Sequence, residues 1–161
     1  MTNIPPTSFT VSQHPHMQLR CVVNLALLNL LRDFICQAAR TMQFPEHKIA
    51  EIEISVDEAC ANAMEHAYAA QPETSVASDA TPPEIHVELF MAHDRLTIRI
   101  SDHGTGHLES DCPTSMDSYL DIHREKFRGL GLVLMRKFMD GVTVTATPGE
   151  GTIVEMTKFK Y

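Results

Sequence analysis

The sequence predicts an α+β domain, a two-layer sandwich with helices on one face of a sheet. Three observations point there. Two pairs of alternating apolar and polar runs, "EIHVELFMA" with "RLTIRIS" and "GVTVTAT" with "GTIVEMTKF", carry the period of strands, and a short turn splits each pair. Two helical series precede the first pair and one precedes the second. Strands joined by hairpins, with helices in separate runs, segregate the helices to one face of the sheet.

The elements follow in order. "TSFTVS", residues 7–12, reads as a short first strand. From Met17 to Met42 the apolar residues Leu19, Val22, Val23, Ala26, Leu27, Leu30, Leu31, Phe34, Ile35 and Ala38 fit the spacing of one amphipathic helix. Pro45 suits a first helical turn and Glu46 suits its positive end, so a second helix is expected from about Pro45 to Ala69. "QPETSVASDATPP", residues 71–83, lacks periodicity and reads as a flexible surface loop. A tight hairpin at His93-Asp94 joins the next two strands, with Leu96, Ile98 and Ile100 on one face and Thr97 and Arg99 on the other. An irregular polar stretch reaches Arg128, and "GLGLVLMRKFMD" then opens a helix. The last two strands meet at Pro148-Gly149-Glu150-Gly151.

Bulk properties narrow the function. A chain of 161 residues suits one domain, spanning 1–161, and its 43% hydrophobic and 21% charged residues are ordinary for a globular protein. A formal net charge of -8 argues against nucleic acid or an anionic membrane as the main partner. The most apolar segment, "CVVNLALLNLL", is too short to span a bilayer, and "MTNIPPTSFT" has neither the basic start nor the apolar run of an export signal. Cys21, Cys36, Cys60 and Cys112 are scattered and form no CxxC pair, as expected of free thiols in a reducing cytoplasm.

The chemistry concentrates in "SVDEACANAMEHAY", residues 55–68. Glu58, Asn62 and His66 recur every four residues, and each such step advances only about 40° around a helix, so they form one narrow stripe. Ala59, Cys60, Ala61, Ala63 and Ala67 flank it, which implies close packing. Three glycine-bearing sites come later: Asp102-x-Gly104-x-Gly106, Gly129-x-Gly131 and Gly149-x-Gly151-Thr152. The first follows a strand, where an acid can bond an exocyclic amine while glycines admit a planar base. The second opens a helix, whose free N–H groups and dipole favour a phosphate.

In this order the boxes resemble the GHKL ATPases, and within them the anti-sigma-factor serine/threonine kinases. The family's E-x-x-x-N-x-x-x-H-[AG]-Y is matched by Glu58, Asn62, His66, Ala67 and Tyr68, and D-x-G-x-G by Asp102, Gly104 and Gly106. G-[LM]-G-[LF] is matched by Gly129, Leu130, Gly131 and Leu132, and the closing G-x-G-T by Gly149, Gly151 and Thr152. The resemblance covers about residues 17–159.

The resemblance implies a Bergerat-type ATP-binding fold with a mixed sheet, and ATP with Mg²⁺ as cofactors. It implies that Asn62 binds the magnesium ion and that Glu58 is the general base toward a substrate serine. Asp102 would accept from the adenine amine, with Thr152 in support. Gly104 and Gly106 would admit the nucleotide, and Gly129 and Gly131, in the box with Leu130 and Leu132, would cap the phosphates. Arg128 would reach the γ-phosphate, and residues 107–127 would form the ATP lid. His66 belongs to the same set through packing and hydrogen bonding on the adenine side; no second His or Cys on its helix stands at metal-ligand spacing.

The function so implied is that of a cytoplasmic kinase that acts as an anti-sigma factor in a partner-switching system. Its substrate would be a STAS-type anti-anti-sigma protein, and its competing partner a sigma factor or other signalling protein. The resemblance also allows a homodimer. The alternative is a nucleotide-binding switch that sequesters a signalling protein without phosphotransfer. The catalytic half of a histidine kinase is disfavoured, because no dimerisation helix with a phosphoacceptor histidine precedes the domain.

Overall fold

The computed structural model describes residues 14–69, 83–104, 106 and 130–161; the side chains of Leu25 and of residues 66–69 are outside this set. Its elements are β1 (Met17–Val22), α1 (Leu25–Thr41), α2 (Glu46–Ala69), β2 (Glu84–Met91), β3 (Arg95–Asp102), α3 (Leu130–Phe138), β4 (Gly141–Thr147) and β5 (Gly151–Phe159). The strands form one sheet in the order β1-β2-β3-β5-β4.

Every pairing in that sheet is antiparallel, so the expectation of a mixed sheet is corrected. Hairpins account for two of the pairings, β2 with β3 and β4 with β5. The connection through α3 and β4 then returns β5 antiparallel beside β3, which leaves β4 at the edge.

The first helix is also corrected. Residues 17–22, expected to be helical, form β1 and pair with β2 from Met17↔Leu89 to Val22↔Glu84. Leu19 and Cys21 turn toward the core while their neighbours are exposed, which is the period of a strand. Asn24 then opens α1: it is extended, and its side chain accepts the Ala26 N–H at 2.8 Å, a standard N-cap. The expected strand at 7–12, the lid at 107–127 and residues 71–82 of the expected loop lie outside the described residues.

At its far end α1 closes with the Phe44 N–H on Ala39 O and the Gln43 N–H on Arg40 O, a Schellman pair. Gln43 takes the left-handed position (φ 63), where glycine is usual, at a cost of roughly 1–2 kcal/mol. Burying Phe44 against the core offsets part of that cost.

The hairpin after β2 turns at His93-Asp94 as expected: the register Met91↔Leu96 sets Ala92 opposite Arg95, and the Ala92 N–H closes the turn on Arg95 O. Alternation then builds the core. Ile85, Val87 and Leu89 of β2, Leu96, Ile98 and Ile100 of β3, and Val154 and Met156 of β5 are buried with Ile49, Ile52, Val56, Ala59 and Ala63 of α2. On the other sheet face Arg99 bridges Glu88 (3.0 Å) and Glu155 (2.7 Å) and lies over the Phe90 ring. Thus α2 is held across the sheet with one side on the core and another left for α3.

Candidate functional site

The stripe on α2 lies where its spacing puts it. Glu58 and Asn62 are half-buried, their neighbours Ala59, Cys60 and Ala63 point into the core, and Ala61 and Glu65 face outward. Burial, and after it the charge of Asp57, raise the Glu58 carboxyl above its ordinary range. Arg32 of α1 holds Asp57 at 3.2 Å and also approaches Glu53 and Asp33. The spacing of the motif assigns Arg32 and Asp57 no role; their only signal is an acid directly before the stripe and a base in the middle of the preceding helix.

The start of α3 covers this stripe. Gly131 is buried, and a Cβ built there would stand 2.6 Å from Glu58 Oε2 and 3.3 Å from Asn62 Nδ2. Glycine is therefore what lets the two helices approach. The first turn of α3 carries no acidic side chain, so the partial positive charge of its N–H groups is not neutralised from within the helix. Leu130 and Leu132 flank Gly131, half-buried and buried respectively. Arg128 and Gly129 lie outside the described residues, as does the side chain of His66, whose backbone continues α2.

The second half of the site forms at the ends of β3 and β5. Asp102 is 4% exposed, and its Oδ1 accepts the Gly104 N–H at 2.8 Å, folding the chain back at once. Gly151 (φ 112) lies against it so closely that a Cβ would stand 1.9 Å from Asp102 O. Gly106 (φ 65) seats the same loop on the β4–β5 turn, where a Cβ would meet Thr147 O at 1.9 Å. The register Ser101↔Ile153 puts Thr152 next to Asp102 on the helix-facing side of the sheet. Thr152 is 3% exposed, and its hydroxyl has no hydrogen-bond partner among the described residues. A buried hydroxyl left unpaired costs about 1–3 kcal/mol, so one next to a buried carboxylate suits a polar ligand that would pair it.

The structure thus gathers two clusters, Glu58, Asn62 and Gly131 on the helix side, and Asp102, Gly104, Gly106 and Thr152 at the strand ends. Of the thiols, Cys36 and Cys60 are free and buried, with burial pushing them up to about 11 and about 12. Cys21 is free and half-buried, and Cys112 lies outside the described residues.

The family profile described as a histidine kinase-like ATPase domain matches residues 21–158. The chain belongs to that family. Among its relatives, the anti-sigma F factor of Caldanaerobacter subterraneus subsp. tengcongensis is 34% identical over 113 residues, covering 70% of this chain and 71% of the relative. The serine-protein kinase RsbW of Bacillus pumilus is 31% identical over 135 residues, covering 82% and 78%. In fold alone the chain is similar to a structure described as the SiaB–SiaC complex from Pseudomonas aeruginosa, with a TM-score of 0.55, 10% identity and 91% of each chain covered. No described helix is long and apolar enough to cross a membrane.

Proposed function

We propose that this chain is an ATP-dependent serine/threonine protein kinase of the cytoplasm, acting as an anti-sigma factor in a partner-switching system. One observation carries the reading: the N-terminus of α3 sits on the acid and amide of α2, with Gly131 so close that a Cβ there would stand 2.6 Å from Glu58 Oε2. A helix start that favours an anion thereby stands beside a half-buried carboxyl and a carboxamide. The names of the relatives support the same class of activity.

ATP supplies the transferable phosphoryl group, and Mg²⁺ neutralises charge on its phosphates. The N–H groups at Gly129, Leu130 and Gly131 bind the phosphates, and Leu132 continues the helix that presents them. Asn62 offers its amide oxygen, a hard ligand for a hard cation. Asp102 accepts from the adenine amine through the oxygen that Gly104 leaves free, and Thr152 pairs its buried hydroxyl there. Gly104 and Gly106 give the base room. His66 supports the adenine side of α2, Arg128 reaches the γ-phosphate, and residues 107–127 close over the nucleotide.

Glu58 takes the proton from the substrate serine. Its raised pKa is consistent with a carboxyl tuned toward the working pH of a base. The substrate we propose is a serine of a STAS-type anti-anti-sigma protein, and the competing partner a sigma factor or another signalling protein, bound by a single domain that can form a homodimer. Incubating the protein with radiolabelled ATP, Mg²⁺ and a cognate STAS protein tests this. Label on a serine of the STAS protein is expected; intact ATP binding with no transfer would remove the kinase assignment.

A further inference from the structure

The end of α3 remote from Glu58 is fastened by a buried lysine that the nucleotide site does not use. Lys158 lies on β5 at a core-facing position, in line with Val154 and Met156, and its side chain is only 7% exposed. A charged residue on the inward parity of a strand is a signal legible in the sequence. Its Nζ donates to Phe138 O, the last carbonyl of α3, at 2.6 Å and meets Glu51 Oε2 of α2 at 2.6 Å. Asp140 Oδ2 stands 3.9 Å away and also accepts the Phe159 N–H at 2.7 Å. One ammonium therefore ties α2, the C-terminus of α3 and β5 together, with a cation at the negative end of a helix dipole.

The spacing gives this junction a consequence. From Glu51 to Glu58 along α2, and from Phe138 back to Gly131 along α3, the rise is the same seven residues, about 10 Å. The two helices run antiparallel and are fixed at both ends of that interval: Lys158 bridges Phe138 to Glu51, and Gly131 abuts Glu58. A one-residue slip of α3 would carry its N–H groups about 1.5 Å along α2.

We propose that Lys158 is a positioning residue for the triphosphate, fixing the axial register of α3 against α2 and so where the first-turn amides stand relative to Glu58 and Asn62. This role rests on the nucleotide-binding reading. The adenine contacts, Asp102 and Thr152, lie on the sheet itself and do not depend on that register.

The test separates phosphate from base. Lys158→Met alone leaves Glu51 beside a pocket without its counter-charge and can fail to fold, so the informative variant is Glu51→Gln with Lys158→Met, which removes one charge of each sign and leaves the junction's net charge, with Asp140, unchanged. Ligand-detected NMR titrations with ATP and with adenosine, beside thermal melting, are run on the wild type and the double variant. The double variant is expected to melt near the wild type and to lose about tenfold in ATP affinity while adenosine affinity stays within about twofold. Equal ATP affinity in both proteins, or a parallel loss for ATP and adenosine, would overturn the positioning role. A wild-type protein that binds neither ligand would overturn the nucleotide reading itself.

Discussion

Gly131 and Glu58 occupy space that only one side chain can use. A methyl group at residue 131 would stand 2.6 Å from Glu58 Oε2, at the free end of a flexible side chain, and 3.4 Å from its Cβ. The carboxylate can swing aside where backbone could not. Gly131→Ala is therefore expected to change the melting temperature little yet displace the base, lowering phosphotransfer about a hundredfold. Parallel melting curves and transfer rates check it.

Gly151 presents the opposite case. Its would-be Cβ meets the Asp102 carbonyl at 1.9 Å, and its φ of 112 is one that side-chain-bearing residues rarely adopt. Gly151→Ala should destabilise the fold by about 2 kcal/mol or more. Urea unfolding of the two alanine variants side by side should rank Gly151 far above Gly131.

Thr152 carries a buried hydroxyl that has no hydrogen-bond partner among the described residues. Replacing it with the near-isosteric valine removes the cost of leaving that group unsatisfied, so Thr152→Val should raise the stability of the free protein by up to about 1 kcal/mol. The same change should weaken ATP binding several-fold. Calorimetric melting with and without nucleotide reads both effects.

The pH dependence follows from Glu58. Its folded pKa is raised, chiefly by burial and then by Asp57, so the proton stays on to a higher pH than in the unfolded chain. Between the two pKa values the folded state binds more protons, and stability falls as pH rises through that window. A base must be deprotonated, so the acid limb of the rate profile should lie above the ordinary carboxylate range. Asp57→Asn removes the secondary cause and should move that limb to lower pH, as rate profiles of the two proteins will show.

Much of this was legible in the sequence, for reasons visible at particular residues. Leu96, Ile98 and Ile100 alternate with polar neighbours, and all three are buried against the helices. β1 is hidden from periodicity because Leu19, Val22 and Val23 happen to continue the helical spacing of α1; the break at Asn24 is a capping event, which hydrophobic periodicity does not register. The Glu58–Asn62 stripe depends on a single helix and so could be read from spacing alone. Its contact with Gly131 depends on how two helices distant in sequence pack, and no local pattern records that. Lys158 shares the inward face of β5 with Val154 and Met156, and its partners on α2 and α3 come only from the fold.

The most direct measurement is a crystal structure with Mg²⁺ and a non-hydrolysable ATP analogue. The phosphates are expected against the first turn of α3, the Asn62 amide oxygen on the metal, and the adenine amine on Asp102. A nucleotide bound elsewhere, or Glu58 and Asn62 turned away from the phosphates, would contradict this placement.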